Sequence, residues 1–359
     1  MRHRTQGVPS VELSQWPRRV HQPGAFILGD RIRSIGETRV KSPELDTAER
    51  TALSRLEQRL GRLHVRQRLG LERDYEAQVF RRGTHFFHLE NWYSVHAWIR
   101  NALRLVGLHG RGRRNALAIE LREHDVLLPK LPPAFDGYTI LHLSDLHVDM
   151  RPDFVPALIE RLRGVSYDVC VLTGDYRART FGPFAPAVEG LARLRPHLGG
   201  EPLAVLGNHD TIRMLPGMEA AGYRVLMNEC TRLARGGDAV YVAGIDDAHY
   251  YQTQNFHRAA HDIPPGACAI LLSHTPETYR HAAHAEFDLM LCGHTHGGQI
   301  CLPGGVPVIT DADVPRALAR GAWRYHDLVG YTSVGAGTCI VDIRLNCPPE
   351  ITLHRLRRA

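Results

Sequence analysis

TILHLSDLHV (residues 139–148) opens with five strand-forming residues and runs without a break into Ser144-Asp145-Leu146-His147. The same pattern recurs downstream. DVCVL (168–172) leads into Thr173-Gly174-Asp175, and PLAVL (202–206) into Gly207-Asn208-His209-Asp210. CAILL (268–272) leads into Ser273-His274, and DLMLC (288–292) into Gly293-His294-Thr295-His296. AVYVAG (239–244) and LVGYTSV (328–334) are further strand candidates, and helical spacings such as Phe154, Ala157, Leu158 and Leu162 lie between several of them. From Asn115 onward the chain therefore reads as an α/β layout. In such sheets ligands bind beyond the carboxyl ends of the strands. Five strand exits deliver Asp, Asn and His to one rim.

Upstream the texture differs. Residues 1–114 hold 22 Lys/Arg against 11 Asp/Glu, a net of +11; residues 115–359 hold 22 against 27, a net of −5, and the two give the chain's +6. This divides the chain into a basic, mainly helical N-terminal extension (1–114) and a second domain (115–359). Residues 1–41 are rich in Gly, Pro and Arg without sustained periodicity and are expected to be loosely ordered. Ser42-Pro43-Glu44 has the form of a helix start, and Leu53, Leu56, Leu60 and Leu63 follow at helical spacing. A stripe of Leu89, Trp92, His96, Ile99, Leu103 and Val106 predicts a second helix over 85–108, ending in HGRGRR. Packing on the neighbouring domain is the expected role of that stripe. With Phe86, Trp92 and Trp98 beside arginines, it also offers peripheral contact with an anionic membrane.

No run approaches the roughly 20 uninterrupted apolar residues of a membrane span. The basic N-terminus has no apolar stretch behind it, so a secretory signal is not expected. The chain is expected to be cytoplasmic, with any membrane contact at the inner face. The seven cysteines contain no C-x-x-C pair, which favours reduced buried thiols over a cysteine zinc site.

The rim residues mix two carboxylates, Asp145 and Asp175, with the amide of Asn208 and the imidazoles of His147, His274, His294 and His296. That donor set suits Mn, Fe or Zn better than Ca or an all-thiolate zinc site. Asp145 and His147, two apart on an extended exit, are expected to point the same way and reach one ion. His294 and His296 can split between two ions across a tight turn, and Asp175, behind a glycine, can bridge. Each piece alone is weak; five strand-end coincidences in one order are not.

Together these residues resemble the complete signature of the calcineurin-like metallophosphoesterases, over roughly residues 115–357. The resemblance implies a β-sandwich flanked by helices with a two-metal site on one edge. It implies that Asp145, His147 and His296 hold one ion, that Asn208, His274 and His294 hold the other, and that Asp175 bridges them. Two divalent ions are implied, Mn first, with Fe or Zn as alternatives. The implied reaction is phosphoester hydrolysis by in-line attack of a metal-bridging hydroxide. His209 is the implied general acid or transition-state contact. Asp210 is expected to orient His209 or to cap a following helix. Gly297 and Gly298 are expected to let backbone approach the phosphate, and Gln299 to contact substrate or cap the turn.

Asn228-Glu229, AGIDD (243–247), GHTHGGQI and the ending RLNCPPEI resemble a bacterial branch of small phosphodiesterases. That branch includes enzymes that cleave the pyrophosphate of UDP-2,3-diacylglucosamine, which implies a small or lipid-linked phosphate substrate. The protein-phosphatase element G-D-x-x-D-R-G is absent: the chain reads Gly174-Asp175-Tyr176-Arg177-Ala178-Arg179. The missing second Asp leaves the exact substrate open, and Arg177 and Arg179 are candidates for meeting a second phosphate. A nuclease of the same fold is the alternative, but no nucleic-acid module is recognisable and nucleic acid is not the expected partner. A non-catalytic binding scaffold is the third reading; such a chain would be expected to have lost ligands.

Overall fold

The computed structural model describes residues 47–82 and 93–359, with the side chains of 50–77 and 99–359. Residues 1–41, the helix start at Ser42-Pro43-Glu44 and the 85–92 part of the second helix lie outside the described residues. Helices α1 (Thr47–Leu60) and α2 (Arg62–Arg82) meet at a break at Gly61. The break turns Leu63 outward, 84% exposed, while Leu56 and Leu60 stay buried, so the leucine stripe belongs to two helices rather than one. Then come α3 (Tyr93–Leu105), the described part of the 85–108 helix, and α4 (His109–Asn115).

Two six-stranded sheets follow. The first begins with β1 (Glu120–Leu128), β2 (Thr139–Leu143), β3 (Val169–Leu172), β4 (Leu203–Ala204) and β5 (Arg224–Val225). The second holds β6 (Glu229–Arg235), β7 (Asp238–Gly244), β8 (Ala269–Leu272) and β9 (Leu289–Cys292). A two-stranded hairpin, β10 (Cys301–Leu302) and β11 (Val306–Pro307), interrupts before β12 (Gly321–Tyr325) and β13 (Leu328–Thr332) complete the second sheet. The last strand, β14 (Glu350–Arg358), returns to the first sheet between β1 and β2. All seven anticipated strands form, though PLAVL contributes only Leu203–Ala204 as ladder. β1, β6, β12 and β14 were not anticipated, because charged residues within them mask the alternation, and β5, β10 and β11 because two-residue ladders carry no period.

Side chains alternate across each strand and so build two cores. Ile140, Val171 and Val205 meet Val242, Ile270 and Leu291 between the sheets. Leu141, Leu143, Cys170 and Leu172 face the other way, under helices α5 (Phe154–Leu162) and α6 (Ala185–Leu194). Leu56, Leu60 and Val65 of α1 and α2 share this second core, so the N-terminal helices are packed into the body of the molecule. Strands β2 to β5 run parallel, as do β7, β8, β9 and β13, so the exits within each run lie on a common edge. Near that edge the interior turns polar. His124, His354 and His142 line up across three adjacent strands at 3.3 and 3.4 Å, and His142 Nε2 lies 2.8 Å from Thr173 Oγ1.

Candidate metal centre

The five exits place seven side chains in two adjoining groups. In one, the Oδ1 of Asn208 lies 2.8 Å from His274 Nε2 and 2.9 Å from His294 Nδ1, and those two nitrogens are 3.2 Å apart. In the other, His147 Nε2 lies 3.1 Å from His296 Nε2, which is 3.6 Å from Asp145 Oδ1. Asp175 Oδ2 stands between them, 3.3 Å from His274 Nε2 and 3.9 Å from His147 Nε2. Such separations are close to the edges of a coordination polyhedron whose metal–ligand bonds are about 2.0–2.2 Å.

The chemistry of the donors fits cations as well as the spacing does. The Nδ1 of His147 bonds the Arg177 carbonyl at 2.8 Å, which leaves its Nε2 lone pair facing that of His296. Burial pushes His147 down to about 4, and His294 and His296 well below the usual imidazole range, so these rings are neutral donors. Burial also pushes the Asp145 carboxyl up to about 6. Burial would raise Asp175 too, but His274, His209 and His147 around it hold it well below the usual carboxylate range. Its charge in turn draws a proton onto His274, against the effect of burial. The pocket thus demands positive charge where the donors converge.

Local backbone makes the convergence possible. Asp145, His147, Asp175, His294 and His296 all take positive φ, between 40° and 73°. Asp145 and His147 therefore do not lie on an extended exit. Their strand ends at Leu143, and left-handed turns aim both inward. Gly207 and Gly293 are needed for close approach: a Cβ at Gly207 would collide with the Asp175 carboxylate, and one at Gly293 with Ser144 and Asp145.

His209 sits beside the groups. Its N–H donates to Asp175 Oδ1 at 2.9 Å, and its Nε2 lies 3.9 Å from Asp175 Oδ2 and 3.5 Å from Cys339 Sγ. Asp210 neither reaches the His209 ring nor caps a helix. Its carboxylate accepts from the N–H groups of Asp175, Tyr176 and Gly207 at 2.8–2.9 Å and ties two ligand loops together, while Thr211 caps the short helix that follows. Gln299 braces the opposite wall, donating to the carbonyls of Cys339 and Val341 and accepting from Cys339 N. Gly298 lines the cavity, whereas Gly297 backs onto Val334 and Cys347. Arg177 is buried and donates to the carbonyls of His209, Thr180 and Gly182, so its guanidinium is committed to backbone rather than to a second phosphate.

Two features went unread in the sequence. A cavity of about 280 Å³ opens on Asp175, Asn208, His209, His294 and His296, with a wall of Ile99, Ile300, Val308, Ile309, Ile340 and Val341. Apolar residues scattered over distant segments carry no signal of such a role. Arg344, fully buried in RLNCPPEI, donates to the carbonyls of Val334, Gly335 and Gly337 and lies 3.2 Å from His296 Nδ1. That ending therefore shapes the site.

Two sheets flanked by helices, with carboxylate, amide and imidazole donors on one edge, define a metal-dependent phosphoesterase. Residues 138–298 match the family model described as calcineurin-like phosphoesterase. The chain is 30% identical over 234 residues to the uncharacterized metallophosphoesterase YkoQ of Bacillus subtilis, covering 62% of this chain and 85% of that protein. It is 30% identical over 236 residues to the phosphodiesterase YaeI of Escherichia coli, covering 61% and 82%. YkuE of Bacillus subtilis, an uncharacterized metallophosphoesterase, is 27% identical, covering 67% and 86%. The chain belongs to the calcineurin-like metallophosphoesterases and is a metal-dependent hydrolase of phosphoesters. Among the described residues, no helix is long and apolar enough to cross a membrane.

Proposed function

We propose that this hydrolase is a two-metal phosphodiesterase or pyrophosphohydrolase acting on a small or lipid-linked substrate. Asp145, His147 and His296 would hold one ion, Asn208, His274 and His294 the other, with Asp175 shared; Mn is the expected metal, with Fe or Zn as alternatives. Such a pair supplies an activated water and neutralises the phosphoryl oxygens. His209, beside the donors and facing the cavity, would protonate the departing oxygen. The observation that carries the reading is the apolar wall set directly against the donors. A phosphomonoester on a protein surface gains nothing from Ile99, Ile300, Val308, Ile309, Ile340 and Val341. A diester or anhydride whose second substituent is apolar would bury that substituent there.

The test is a metal-reconstituted substrate screen over phosphopeptides, bis-nitrophenyl phosphate, nucleotide-diphosphate sugars and their acylated forms. We expect diesters or pyrophosphates to be turned over faster than phosphopeptides, and acylated forms to show the lower KM. Faster turnover of a phosphopeptide would overturn the assignment.

A further inference from the structure

From Ile99 to Asn115 the chain carries Arg100, Arg104, Arg111, Arg113 and Arg114 and no acidic residue. Arg113 pairs with Asp342 at 3.2 Å; the other four are exposed and form no ion pair among the described residues. Between them, at the corner joining α3 to α4, Leu105 is 89% exposed, Val106 63% and Leu108 38%. The β10–β11 hairpin and the residues after it present a second apolar tip, in which Leu302, Val306, Val308 and Ile309 are each about half exposed.

The two tips flank one opening. Ile99 lines the active-site cavity together with Val308 and Ile309. The last turn of α3 runs on through Val106, whose N–H donates to Ala102 O at 3.1 Å, so Leu105 and Val106 stand about 10 Å beyond Ile99 along the helix. Both tips are moored to the same segment: Arg344 N donates to Gly112 O of α4 at 3.0 Å, and Cys301 N of β10 donates to Leu345 O at 2.9 Å.

We propose that this rim is a docking surface for an anionic lipid bilayer. The aliphatic tips would enter the boundary of the acyl layer, while the arginines meet phosphate headgroups. Charge complementarity selects this occupant: the α3–α4 corner carries four arginines without an ion pair among the described residues and no acid of its own, so a corner-to-corner contact with a second copy would set like charges against each other. Aliphatic tips also favour lipid over nucleic acid, whose bases stack on aromatic side chains. The docked enzyme would hold its cavity mouth at the membrane surface. The inference does not depend on the diesterase reading, because it is read out by binding rather than turnover.

The experiment is co-sedimentation of the full chain with vesicles of phosphatidylglycerol and phosphatidylcholine, or of phosphatidylcholine alone, at low and high salt. Binding is expected to the anionic vesicles at low salt and to weaken at high salt and on neutral vesicles. Leu105→Glu with Val106→Glu, and separately Leu302→Glu with Val306→Glu, should each weaken binding at least tenfold and leave turnover of soluble bis-nitrophenyl phosphate unchanged, since none of the four lines the cavity. No binding at low salt would overturn the proposal. So would undiminished binding by both double variants, which would reduce the effect to nonspecific attraction. A full-length dimer dissolved by Leu105→Glu with Val106→Glu would also overturn it, by showing that another copy covers the face.

Discussion

Asp175 and His209 are joined by a hydrogen bond from His209 N to Asp175 Oδ1 at 2.9 Å, yet they occupy different chemical positions. Asp175 stands between the two donor groups, whereas His209 Nε2 faces the cavity. Replacing each should separate metal binding from proton transfer. Asp175→Asn should lose bound metal and rate together while the protein stays folded. His209→Ala should keep its metal and slow by about 10²–10⁴-fold, with a smaller loss for a nitrophenolate leaving group that needs little protonation. Metal analysis with leaving-group kinetics checks both; full metal content in Asp175→Asn would remove that residue from the ligand set. Asp175 and four other proposed ligands also carry backbone strain. Non-glycine residues at positive φ cost on the order of 1–3 kcal/mol each, and five proposed ligands adopt it. Neighbouring loops over-determine those turns: Asp145 N donates to Gly174 O, His147 N to Asp175 O, and Gly337 N to Asp145 O.

At the scale of the element, α2 acts on the loop that carries Asn208 and His209. Arg68 is fully buried, donates to Asp210 O at 2.9 Å, stacks 3.5 Å from the Tyr251 ring centroid and lies 3.6 Å from Asp246. One turn on, Glu72 accepts from Ile212 N at 2.8 Å and from Thr211 Oγ1 at 2.5 Å. The outer side of the segment 210–212 is thus held by a helix of the extension, and its inner side by the Asp210 carboxylate. Arg68→Met would leave Asp246 and Glu72 buried without their guanidinium, a loss of about 3–5 kcal/mol that urea unfolding would measure. The pH dependence follows from Asp246. Burial would raise its carboxyl, but Arg68 and the hydrogen bonds of His64 and Thr253 outweigh that and bring it down to about 2. A carboxyl lowered on folding adds stability above its unfolded value, and that stability is lost as pH falls through about 2. Wild-type stability should therefore fall more steeply than that of Arg68→Met as pH drops below 4. Parallel acid profiles for the two would exclude the pair as a stabilising contact.

For the whole molecule, the consequence is that the N-terminal helices and the sandwich fold together. Leu56, Leu60 and Val65 lie in the same core as Leu141, Leu172 and Leu191, and Arg59 bridges Glu219 and Glu229. A chain beginning at Asn115 would expose that face, at about 25 cal/mol per Å² of apolar surface returned to water. It should aggregate or melt well below the full chain in a thermal scan, and an unchanged melting temperature would show that the helices are dispensable to the core.

The sequence by itself pointed to the proposed ligand set and to the α/β layout that presents it. Asp145, His147, Asp175, Asn208, His274, His294 and His296 were legible because metal ligation tolerates few residue types and because each sits where an apolar run stops. Much of its order of strands and helices likewise followed from periodicity, except where charged residues hid β1, β6, β12 and β14 and where β5, β10 and β11 were too short to show a period. Tertiary structure alone decided how the ligands are aimed: a two-residue spacing predicted the right neighbours, but left-handed turns and backbone-to-backbone packing do the aiming, and no local pattern encodes them. It alone decided the tasks of Asp210 and Arg177, since a carboxylate or guanidinium looks the same in sequence whether it meets substrate or backbone. It alone assembled the apolar wall, from Ile99 on α3, Val308 and Ile309 after the hairpin, and Ile340 and Val341 near the end of the chain. Any apolar residue can line a cavity as readily as fill a core, and only the folded arrangement of distant segments distinguishes the two.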